Sequence, residues 1–74
     1  MERGPFLSIL EAMKGSDLEL TVTLAGEAAP IEIRNVVEVE PLMSSQGVKI
    51  TTKQNCIWLD VGHVSAAWQA RGDL

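Results

Sequence analysis

Among the 74 residues, the side chains best suited to nucleophilic or metal chemistry are one histidine, His63, and one cysteine, Cys56. They stand seven positions apart, with no other His or Cys to complete a ligand set, so neither a metal site nor a cofactor is expected. No Ser/His/Asp or Cys/His arrangement has supporting partners, no Gly-rich phosphate loop occurs, and the chain does not read as an enzyme. A lone cysteine also rules out an intrachain disulfide. What remains is suited to recognition. Ser44, Ser45 and Gln46 offer hydroxyl and amide groups, Asp60, Gly62 and His63 form a second polar turn, and Lys49 and Lys53 share one side of an alternating segment. Polar edges, a stackable ring and a few cations are the requirements of single-stranded RNA binding. The plainer reading makes Lys49, Thr51 and Lys53 the solvated side of a strand and His63 a turn residue that satisfies backbone groups.

Charge narrows these readings. Six Lys and Arg against ten Asp and Glu leave a formal charge of −4, which disfavours broad capture of nucleic acid or of an anionic membrane while allowing a local basic site. The opening Met1-Glu2-Arg3-Gly4-Pro5 has neither the apolar run nor the cleavage site of a secretion signal, and no stretch is long enough to span a bilayer, so a cytoplasmic protein without membrane contact is expected. A domain of this size buries only about 60% of the surface its unfolded chain exposes. With disulfide and metal set aside, self-association becomes the expected source of added stability.

The elements that must position those residues follow from periodicity. Phe6, Ile9, Leu10 and Met13 recur at the spacing of one helix face, with Pro5 at the start and Gly15 as a stop, which predicts a helix over 5–14. From residue 17 the period becomes two. Leu18, Leu20, Val22 and Leu24 define a strand over 17–24, and Ile31, Ile33, Val37 and Val39 define a longer one over 31–40, bent or bulged near Asn35 and Val36. Further strands are expected over 48–53, 56–61 and 64–68, with a tight hairpin at Gln54-Asn55, a break at Gly62-His63 and a mobile tail over 69–74. The whole is one mainly β domain.

That order of elements resembles the Sm-like fold. The likeness is most specific at Pro5-Phe6-Leu7-Ser8-Ile9-Leu10, which is similar to the leading helix of bacterial Hfq, and at the segment from Trp58 to Ala67, which is similar to the Sm2 region. It implies an N-terminal helix followed by a strongly bent five-stranded antiparallel small barrel. It also implies a homo-oligomeric ring, in which the fourth strand of one subunit pairs with the fifth of the next and removes two open edges. Cys56, Trp58, Val64, Ala66 and Trp68 would then lie at the interface, Trp58 and Cys56 being on the side opposite the core. The same resemblance implies RNA contacts from Ser44, Ser45, Gln46, Asp60, Gly62 and His63, with Lys49 and Lys53 as cations. Two departures stand out. The 44–47 loop lacks the acidic, aromatic and asparagine set of typical Sm proteins, and Asp60 stands where the family carries a basic residue. The alternative expectation is an oligomeric scaffold of the same fold that binds protein and no nucleic acid.

Overall fold

A computed structural model describes residues 1–69. The chain runs α1 (Arg3–Met13), β1 (Glu19–Leu24), β2 (Ile31–Arg34), β3 (Val36–Pro41), β4 (Gly47–Thr52), β5 (Cys56–Asp60), a 3-10 turn η1 (Val61–His63) and β6 (Val64–Trp68). Of the tail expected over 69–74, all but Gln69 lies outside the described residues.

The strands form two antiparallel sheets of three, ordered β2-β1-β6 and β3-β4-β5. The strand expected over 31–40, with a bend near Asn35 and Val36, is divided into two, and the cause is local. The long alternating segment 31–41 divides at Asn35, whose φ of 55° is left-handed, so β2 pairs with β1 in one sheet and β3 with β4 in the other. The chain changes sheets a second time at η1, between β5 and β6. Both sheets are therefore stitched together by covalent chain at two places.

Alternation places the core. Leu20 and Val22 of β1, Ile33 of β2, Val36 and Val39 of β3, Val48 and Ile50 of β4, Leu59 of β5, Val61 and Val64 are buried. Phe6, Leu10 and Met13 of α1 complete one continuous cluster with them, and Ile9 packs at its margin. The helix lies against β3, β4 and η1. Its last turn is tied down where Gly15, at φ 75°, donates its N–H to the Val36 carbonyl at 3.2 Å. A short helix gains its stability from such packing rather than from propensity.

Two irregularities move side chains off the faces that simple alternation assigns. Beyond Asn35 the register shifts between Val36 and Glu38, so Val36 turns into the core and Val37, expected inside, is exposed. A second shift faces β6 at Thr23–Leu24, where Thr23 pairs with Ala66 and Leu24 with Val64, leaving Ser65 as the extra residue. Val64 is consequently a core residue rather than the interface residue expected from its shared parity with Ala66 and Trp68, both of which are exposed. Leu18, expected in the first strand and inward, precedes β1 and is exposed.

Candidate functional site

The 42–47 loop and the turn at 60–63 meet at one end of the molecule. Gly47 pairs with Asp60 in the β4–β5 ladder, and the N–H of Val61 donates to the Gln46 carbonyl at 2.9 Å. The loop closes on itself through the Leu42 N–H and the Gly47 carbonyl at 3.0 Å. Gly47 is buried, and a Cβ there would collide with the Ser44 hydroxyl and press on Leu42 at 3.1 Å. Ser44, Ser45, Gln46, Asp60, Gly62 and His63, expected together from the sequence, are thus held in one cluster by backbone bonds.

Each polar group in the cluster has a definite role or a definite lack of one. Asp60 caps η1, its Oδ1 accepting the Gly62 N–H at 2.8 Å, which gives a structural reason for a carboxylate in this turn. The His63 side chain is exposed while its carbonyl accepts the Ala25 N–H at 2.8 Å. Ser44 and Ser45 are exposed. The Oε1 of Gln46 is buried and has no hydrogen-bond partner among the described residues, a costly state for an acceptor.

The lysines divide. Lys49 lies on the outer side of β4, between Glu40 on β3 and Trp58 on β5, with its ammonium 5.7 Å from the centre of the indole. Lys53, expected on the same strand face, has left the strand. It sits in the β4–β5 turn, where its N–H donates to the Asn35 carbonyl at 3.1 Å. Thr52 organises that turn, its buried hydroxyl accepting the N–H groups of Gln54 and Asn55 and donating to Asn55 Oδ1 at 2.6 Å. Lys53 instead lines an open cleft of about 570 Å³ with Gly15, Asp17 and Asn35.

One cation at the cluster was not identified from the sequence. Arg3, in the first turn of α1, directs Nη1 at the carbonyls of Ser44 (2.5 Å), Leu42 (3.2 Å) and Gly47 (3.4 Å). No local pattern marks it, since its partners lie at least 39 positions along the chain.

The residues expected at an interface fall on two surfaces. Cys56 and Trp58 stand on the outer side of β5, with Cys56 Sγ 3.6 Å from the Thr51 hydroxyl. Trp68 and Ala66 stand on β6 in the other sheet. Trp58 is 64% exposed and Trp68 50%, a large apolar area for so small a chain. β5 and β6 each border their sheet on one side, so each presents an unpaired backbone edge.

Among the described residues no group of three His, Cys, Asp or Glu side chains is arranged to hold a metal, and no helix is long and apolar enough to cross a membrane. No family model, curated protein or solved structure matches the chain.

Proposed function

We propose that this chain is an Sm-like subunit that assembles into a homo-oligomeric ring and binds single-stranded RNA at the cluster of the 42–47 loop and the 60–63 turn. The observation that carries the RNA reading is the bond from Val61 N–H to the Gln46 carbonyl, which joins the two loops that carry the exposed His63, Ser44 and Ser45. Such a surface offers a stacking ring and polar edges to an unpaired base. In this reading the strand that bends at Asn35 and the β5–η1–β6 passage close the two sheets into a small barrel. The free edge of β5 pairs with that of β6 in the next copy, covering Trp58 and Trp68.

Protein binding without RNA is the second reading, and a specific observation favours it. Glu32, Glu38 and Glu40 are exposed on β2 and β3, and the net charge is −4. An acidic outer surface suits a basic protein partner better than a polyanion.

Sedimentation at micromolar concentration tests assembly, with a multiple of 8.0 kDa expected; a strict monomer removes the ring. Titration of fluorescent oligo-U and oligo-A across a salt series tests RNA binding. Affinity that falls with added salt is expected. Absence of binding at low salt, with the oligomer present, leaves the protein-partner reading.

A further inference from the structure

Arg3 is the one side-chain cation recorded in hydrogen bonds with the loop cluster among the described residues, and its geometry is unusual. A single guanidinium nitrogen faces the carbonyls of Leu42, Ser44 and Gly47, a curved row of acceptors that spans the whole loop. The same loop then passes its shape to η1 through the Gln46 carbonyl and Val61 N–H. Arg3 therefore stands at the head of a relay from helix to loop to turn. Guanidinium carries five N–H donors in a rigid fork, and among the described residues Nε and Nη2 make no recorded hydrogen bond. The residue is half-buried and is fixed through Nη1 alone.

The charges around it sharpen the point. Asp60 brings a negative charge to the cluster, Lys49 is engaged with Trp58, and Lys53 lies beside Asn35 in the cleft behind the hairpin. In a chain of net charge −4, Arg3 is the side-chain cation fixed at this end of the molecule, near the Met1 ammonium, which donates to the Val64 carbonyl at 3.3 Å. We infer that Arg3 is the positioning residue of the loop cluster and its phosphate contact, one nitrogen holding the loop and the free donors taking a phosphate oxygen of a single strand. This rests on the RNA reading given above and names the group that makes it electrostatically workable. An Arg suits both duties because its planar fork can bridge, whereas a lysine ammonium acts as a point charge.

The test titrates fluorescent oligo-U and oligo-A, at several salt concentrations, against the full chain and its Arg3→Ala and Arg3→Lys variants. Loss of one phosphate contact lowers the slope of log affinity against log salt by about 0.7 for a single strand. The expected result for Arg3→Ala is binding weakened about tenfold or more at low salt, together with that flatter slope. Arg3→Lys is expected to keep the slope while losing affinity, because the charge remains and the loop is no longer held. A purely structural role would lower affinity in both variants and leave both slopes unchanged, which overturns the inference. Wild-type affinity and slope in Arg3→Ala overturn it while leaving RNA binding intact, and absence of RNA binding by the unaltered chain overturns both together. Should Arg3→Ala fail to fold, Arg3→Gln decides, since it keeps N–H donors for the loop without the charge: a slope flatter by about 0.7 supports the assignment, and an unchanged slope refutes it.

Discussion

Asn35 carries the bend of the molecule in a single residue. Its φ of 55° lies where side chains bearing a Cβ are strained, and asparagine is among the few non-glycine residues that visit this region. Its carbonyl accepts the Lys53 N–H and its amide reaches the Gln54 side chain at 3.4 Å, so the conformation is held from both sides. Asn35→Val is expected to lower stability by roughly 1–2 kcal/mol, from the left-handed conformation alone. Asn35→Gly is expected to lose much less, and urea denaturation of the two variants separates backbone strain from the lost side-chain bond. The sequence announces this bend, since an alternating run of that length must break somewhere in a small domain. It does not announce the side effect. The register shift that follows exchanges Val36 for Val37 in the core, and such a shift arises from pairing with β4 rather than from any property of the two valines. Arg3 was illegible for a related reason, because only the folded chain brings it to residues 42–47.

At the scale of elements, α1 is fastened to β3 by charge as well as by its apolar stripe. Lys14 Nζ lies 3.1 Å from Glu38 Oε1 and 3.3 Å from Glu11 Oε2. The hydrogen bond from Lys14, aided by the Val39 N–H, holds the Glu38 carboxyl below the usual carboxylate value. The bonds to Glu38 and then Glu11 raise Lys14 above its own. A lowered carboxylate stabilises the fold above its unfolded pKa and loses that contribution as pH falls through the folded value. A raised ammonium contributes below its unfolded pKa and loses its share as pH rises through the folded one. The link is therefore intact across neutral pH and weakens toward both acid and strong alkali. Lys14→Gln is expected to flatten both limbs of melting temperature against pH by a small, salt-sensitive amount, since both carboxylates are solvent-exposed and Lys14 is half-exposed. The helix itself was legible from Phe6, Leu10 and Met13, all of which it buries, and the strands from their alternation. Element ends were less so: Lys53 reads as the last residue of a strand until Thr52 takes up the turn amides and ends the ladder one residue early. In the same way Val64 reads as a partner of Ala66 until the bulge opposite Leu24 separates them.

For the whole molecule, one core serves both sheets and the helix. Phe6 is fully buried and is the only phenylalanine, so it is the largest aliphatic-or-phenyl wedge between α1 and the strands. Phe6→Ala is expected to cost about 3–5 kcal/mol. That is a large share of the roughly 5–15 kcal/mol typical of a domain, and a chain of this size stands at the lower end. The variant should show a much lower urea midpoint or be largely unfolded at 25 °C by circular dichroism. The pattern of residues marks two separate loops, and their joining was implied only by the resemblance to the Sm-like fold. That they meet is a property of the β4–β5 register, which sets Gly47 opposite Asp60.

The position of β1 between β2 and β6 also bears on how the chain is made. β2 follows β1 almost at once, but β6 begins at Val64, so one edge of β1 stays bare while the intervening residues are synthesised. During that interval the Thr21, Val22 and Thr23 backbone can ladder with any neighbouring extended strand, its own copies on adjacent ribosomes included. Folding then waits on a late, long-range pairing, the slow kind of step in β-rich domains. A released chain truncated before Val64 should accordingly be captured by chaperones or aggregate, and one that includes β6 should escape.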